Sequence, residues 1–156
     1  MNLYIKQKVF SWNDKFAVYN ENGEPAYFVE GEVFSFGKKL HLYDTAGTQL
    51  AFIAQKIASF LPKFTITLKD NRIAEVTKKF SLFRPEYTVK GPNWAVRGNF
   101  FIHEYQIIQN ERPIAYITKE WLTWGDTYKI SFNDDIEPEI ILSIVLVIDA
   151  CIDMEN

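Results

Sequence analysis

At 156 residues the chain suits a single domain, residues 1–156, with length enough for a sizeable core. A net charge of −3 and a pI of about 5.4 argue against non-specific nucleic-acid binding, which needs a basic field to release counterions. The single cysteine, Cys151, excludes an internal disulfide and a cysteine-based zinc site, and the opening MNLYIKQKVFSWNDKF lacks the apolar region of a secretory signal, so a cytoplasmic location is expected.

From residue 15 onward, short β-type segments follow one another. In chain order they read KFAVYN, PAYFVEG, KLHLYD, LAFIAQK, KFTITLK, RIAEVTKKF, EYTVK, NWAVRG, EYQIIQ, PIAYITK and YKISF. KFTITLK alternates cleanly: Phe64, Ile66 and Leu68 share one face, Thr65 and Thr67 the other, the period of a half-buried strand. Asn22-Gly23, Ala46-Gly47, Asp70-Asn71 and Asn110-Glu111 separate segments with residues that tolerate left-handed backbone or bond their own main chain. The spacing predicts roughly eleven to thirteen antiparallel strands. KIASFLP, residues 56–62, is at most a short connector, and Gly31 and Gly37 read as turn or bulge residues.

A weak repeat runs through the strands. KFAVYNENGEPAYFVE aligns with KFTITLKDNRIAEVTK and with EYQIIQNERPIAYITK, each a strand, a polar turn and a second strand carrying alanine. In RIAEVTK the polar neighbours Glu75 and Thr77 turn Ala74 and Val76 inward; by the same template Ala26, Ala51 and Ala115 face inward too. A small residue recurring on an inner wall leaves room for something bulky, although alanine also packs without such a reason.

After YKISF comes NDDIEPEIILSIVLVIDACIDMEN. Pro138 suits the first turn of a helix, and Asp134, Asp135, Glu137 and Glu139 surround its positive end. A helix is predicted over 138–153, apolar on all sides and therefore buried all round. Its apolar run reaches about 20 Å, short of a hydrocarbon core of about 30 Å, and basic flanks are missing, so a transmembrane span is not expected. The other way to bury it is to close the sheet around it. The fold expected is all-β with one helix: a closed antiparallel barrel of about 12 strands around a central hydrophobic C-terminal helix.

Chemistry is sparse. Lys38 and Lys39 follow Gly37, Lys78 and Lys79 end a strand, and Arg84 sits beside Pro85. These five are solvated strand ends that discourage edge pairing or, if they converge on one barrel end, a site for a phosphate or lipid headgroup. Trp121 and Trp124 in EWLTWGDTY cap a barrel end or sit at an interface. His41 and His103 show no metal-binding spacing, Cys151 on the apolar helix is an inert thiol, and Asp149, Asp153, Asp134 and Asp135 could together make an oxygen-ligand metal site but are better explained as solvated helix-end acids. No GxSxG, Walker loop or GxGxxG is present.

The stretches YIKQKVFSWNDKF, YFVEGEVFSFGKKLHLYD, AFIAQK, VTKKF and ITKEWLTWGDTY, followed by the apolar helix, resemble the LURP-one-related family, particularly its bacterial, YxjI-like members. They span nearly the whole chain and are fold-type motifs rather than catalytic signatures. The resemblance implies the plan shared with tubby C-terminal domains and phospholipid scramblases: a single tubby C-terminal-like domain, its barrel threaded by a hydrophobic helix. It also implies a class of function, since tubby domains bind phosphoinositides on the barrel exterior and scramblases act on membrane lipids. No tubby lipid-binding motif matches here residue by residue. The expectation is a non-enzymatic module without cofactor or metal, cytoplasmic or peripheral to the membrane. It recognises an anionic phospholipid headgroup or a protein partner, and no nucleic acid. The alternative is a structural or regulatory protein without a small ligand.

Overall fold

The alternating segments close into an antiparallel barrel of twelve strands with a single helix inside. The computed structural model describes residues 1–6, 15–32, 35–79, 84–120 and 127–155. The strands are β1 (Asn2–Lys6), β2 (Lys15–Tyr19), β3 (Pro25–Gly31), β4 (Lys39–Asp44), β5 (Gln49–Gln55), β6 (Lys63–Leu68), β7 (Ile73–Lys79), β8 (Glu86–Lys90), β9 (Trp94–Asn99), β10 (Glu104–Gln109), β11 (Arg112–Glu120) and β12 (Thr127–Phe132). A short 3-10 turn, Phe100–Ile102, joins β9 to β10, and the helix α1 spans Pro138–Glu155.

Each strand pairs with its sequence neighbours, and β1 closes the ring against β12, with Leu3 opposite Ile130 and Ile5 opposite Tyr128. β1 is the strand that pattern reading missed: NLYIK is short and has no turn signal before it. Period-two alternation sends Phe64, Ile66 and Leu68 inward on β6 and Tyr87 and Val89 inward on β8, all buried. Ala51, Ala74 and Ala115 face the interior as expected. Ala26 is only half-buried, because a bulge shifts the β2–β3 register between Val18 and Tyr19, next to the turn. Equivalent bulges lie between Leu42 and Tyr43 and between Ile107 and Ile108, beside two other tight turns. These bulges sharpen local twist where the hairpins reverse.

A sequential up-and-down barrel has two unlike ends. One carries the tight turns. There the Asn20 Oδ1 accepts from the amides of Asn22 and Glu24, and the Asp44 Oδ1 accepts from those of Ala46 and Thr48, an Asx arrangement that fixes each reversal. The wider connections β3–β4, β5–β6 and β9–β10 lie at the other end. Because β12 runs toward the tight turns, α1 enters there and its C-terminus emerges among the wide connections. Between Ile141 and Ile148 every side chain of α1 is fully buried, and the core is one cluster uniting helix and barrel wall. The helix comes nearest to β5 and β6, where Ala51 stands opposite Leu68. No helix among the described residues is long and apolar enough to cross a membrane.

Candidate functional site

Inside the barrel, the last turns of α1 meet a buried polar cluster. Asp149 is 7% exposed and accepts the Tyr128 hydroxyl on one oxygen, while its other oxygen lies 3.2 Å from His103 Nε2. The His103 ring stacks on Tyr128 at 4.4 Å, and its backbone is left-handed, φ 55, closing the 3-10 turn. Burial, with the Asp149 charge adding to it, pushes the phenols of Tyr105 and Tyr128 well above the ordinary tyrosine range. Burial also raises the Cys151 thiol to about 11, leaving it protonated at neutral pH. The Tyr105 hydroxyl and Thr127 Oγ1 have no hydrogen-bond partner among the described residues.

Asp149 thus departs from the solvated helix-end acid that its position suggested. A lone carboxylate in an all-apolar run was the available signal: a buried acid must find donors, and Tyr128 and His103 supply them. The four acids do not form one group either, since Asp134 and Asp135 lie at the opposite end of the helix from Asp149 and Asp153. Among the described residues no cluster of three or more His, Cys, Asp or Glu is placed to hold a metal ion. His41 sits apart on the barrel wall, its ring nitrogen Nδ1 3.2 Å from Gln49 Oε1 and its ring tilted against Phe52 at 4.8 Å.

The five basic residues all lie toward the wide-connection end, but strand alternation splits them. Leu40 and Leu42 face the helix, so Lys38 shares their side and Lys39 points out. Lys38 Nζ reaches Asp153 Oδ2 at 2.5 Å. On β7, Ala74 and Val76 face inward and Lys78 continues that row to pair with Glu155, whereas Lys79 is exposed opposite Glu86. Two cations therefore bind acids of the last helical turn, where positive charge also complements the helix dipole. Arg84 is exposed and borders a groove of about 820 Å³ on the outer wall, lined by Glu86, Arg97, Glu104 and Tyr116. Arg97 there bonds Glu86 at 3.0 Å and Glu111 at 3.4 Å, so this groove is a mixed-charge surface. Trp121 and Trp124 lie outside the described residues; the flanking Glu120 and Thr127 end their strands at this same side of the barrel.

Apolar side chains are exposed at this end too. Phe60 is fully exposed, Phe36 is 86% exposed and Ile57 60%, with Phe101, Ile102 and Met154 also open to solvent. Elsewhere among the described residues only Met1, Phe28, Ile73 and Tyr116 are comparably exposed large hydrophobics. Two close approaches tie these parts together, a glycine with little room for a side chain and a hydrogen bond to sulfur. A Cβ on Gly37, φ 75, would sit 3.1 Å from Ile57 Cγ1, and Gln55 Nε2 lies 3.3 Å from Met154 Sδ. Sequence reading gave these side chains no role, since apolar residues in connectors carry no periodicity.

Comparison with known proteins places this architecture. The family model for LURP-one-related proteins matches residues 1–149. The chain belongs to the LURP-one-related family. The uncharacterised protein YxjI of Bacillus subtilis (strain 168) is 34% identical over 149 residues, covering 96% of this chain and 92% of YxjI. An X-ray structure of a protein from Arabidopsis thaliana superposes with a TM-score of 0.70 at 14% identity, covering 99% of this chain and 91% of the other; at that identity the likeness shows the fold alone. This LURP-one-related barrel thus carries its helix-end lysine pairs and its exposed apolar side chains on a fold it shares with that plant protein.

Proposed function

We propose that the protein is a non-enzymatic binding module that recognises anionic phospholipid headgroups at the wide-connection end of its barrel. The observation that carries this reading is the gathering of Lys38, Lys39, Lys78, Lys79 and Arg84 at one end of a barrel whose interior is filled. A filled interior leaves the surface as the place to bind. Acidic residues gather at the opposite end, where Asp44, Asp70, Asp134, Asp135, Glu137 and Glu139 flank the tight turns and the start of the helix; Arg72 pairs with Asp70 and Glu137, and the N-terminal amine with Asp134. A molecule with net charge −3 can still meet an anionic surface if its field is polarised, because attraction acts within about a Debye length of the contacting end.

Vesicle flotation tests the reading. The full chain should float with vesicles containing phosphatidylserine and not with phosphatidylcholine alone, and binding should weaken as salt rises. Each lysine near an anionic surface contributes about 1 kcal/mol, so Lys39→Glu with Lys79→Glu should weaken binding by roughly tenfold or more. These outward residues are the informative pair, since reversing Lys38 or Lys78 would also repel Asp153 or Glu155. Indifference to vesicle charge would end the headgroup reading.

A further inference from the structure

We infer that Phe36, Ile57, Phe60, Phe101, Ile102 and Met154 form an apolar rim that enters the headgroup–acyl boundary of an anionic membrane. This rests on the headgroup reading above and adds an insertion step to it.

The rim is not forced by the fold. Both barrel ends are built of strand connections, and the tight-turn end shows that Asn, Gly and Asp suffice. The rim end instead holds Phe60 fully exposed and Phe36 86% exposed. Large apolar side chains exposed at the same barrel end as several lysines mark an interaction surface.

Geometry and charge select lipid as the occupant. The apolar side chains come from three connections and a helix terminus, distributed over an arc of the barrel mouth from β3–β4 to β9–β10. Separate tips on an arc suit a continuous, deformable apolar medium. Around them, Lys39 and Lys79 point outward on the wall. Beneath them, the acids Asp153 and Glu155 are paired with Lys38 and Lys78, so these two helix-end carboxylates are compensated. The acids of the tight-turn end face away. Aromatic and aliphatic side chains below a lysine belt are the composition of interfacial membrane anchors.

The test uses the full chain, vesicles of phosphatidylserine and phosphatidylcholine, and two double variants whose folding is checked by circular dichroism. Apolar insertion is insensitive to screening, so part of the wild-type binding formed at low salt should survive about 0.5 M salt, where the Debye length is only a few ångströms. Phe36→Ser with Phe60→Ser should lower vesicle partitioning by at least about tenfold at both salt concentrations. Lys39→Glu with Lys79→Glu should act mainly at low salt. A Phe60→Trp variant should gain fluorescence that brominated lipids quench. If the serine variant binds like wild type while the glutamate variant loses binding, the rim does not insert and the headgroup reading stands alone. If wild type binds no anionic vesicle at low salt, both readings fall. If the serine substitutions convert a wild-type oligomer to monomer without changing vesicle binding, the rim is a self-association surface and insertion is overturned.

Discussion

Asp149 shows how one side chain can set the position of a helix. Its carboxylate is surrounded by apolar wall, yet Tyr128 from β12 and His103 from the β9–β10 connection both reach it. Apolar contacts alone would let the helix rotate or slide by small steps at little cost; directional hydrogen bonds to a strand and to a separate connection penalise such slips. Removing the carboxylate takes a buried acceptor from the Tyr128 hydroxyl and a partner from His103 Nε2. Asp149→Ala should therefore cost about 1–3 kcal/mol or more in denaturant unfolding, the penalty for leaving the buried Tyr128 hydroxyl without its acceptor. Tyr128→Phe should cost less, since His103 still addresses Asp149, and the two effects should be non-additive in a double-mutant cycle. A loss below about 1 kcal/mol for Asp149→Ala would show that the cluster does not hold the helix.

The helix and the strands answer to different constraints. A strand must satisfy one face only, so period two appears in its sequence: Thr65 and Thr67 alternate with Phe64, Ile66 and Leu68. The helix is enclosed on all sides, so its sequence shows no polar face from Ile140 to Ile148 except Ser143. Ser143 is fully buried and its hydroxyl donates to the Glu139 carbonyl at 2.6 Å. Its polarity is satisfied within the helix, and its small size fits the wall. Ser143→Leu should destabilise by about 1–3 kcal/mol through overpacking, whereas Ser143→Ala should stay within about 1 kcal/mol of wild type. Equal stability of the leucine variant in thermal unfolding would mean that the wall there is loose. β9 and β10 meet under a similar constraint at Gly98, φ 147, where an added Cβ would lie 2.5 Å from Tyr105 Cα.

For the molecule as a whole, barrel and helix are one cooperative unit, because the core cluster contains residues of both. A chain ending at residue 137 would retain every strand and lose the filler. Its inward Leu, Ile and Val side chains would face a cavity far larger than a side-chain deletion leaves, and each residual volume carries its own penalty. Such a truncation should fail to unfold cooperatively and should aggregate. A monomeric truncated chain with a sharp unfolding transition would show that the wall is stable without its helix. The same unity explains why the two barrel ends differ: the helix terminus emerges on one side only, bringing Asp153 and Glu155 to the lysines there.

Local chemistry determined much of this protein before any folding. Alternation in the strands, turn residues such as Asn22-Gly23 and Asp70-Asn71, Pro138 and the unbroken apolar run of the helix dictate a β-rich wall and a helix that must be hidden, because each acts over a few residues. The inward alanines at 51, 74 and 115 were legible for the same reason, and Ala26 was not, since a register shift beside its turn depends on the partner strand. Only closure of the barrel decided which lysine of each pair faces the helix acids, that β1 completes the ring, and that residues as distant as His103 and Asp149 touch. It also decided that apolar residues from separate connections share one rim. Those outcomes depend on strand direction, register and position around a closed ring, and no stretch of neighbouring residues encodes them alone.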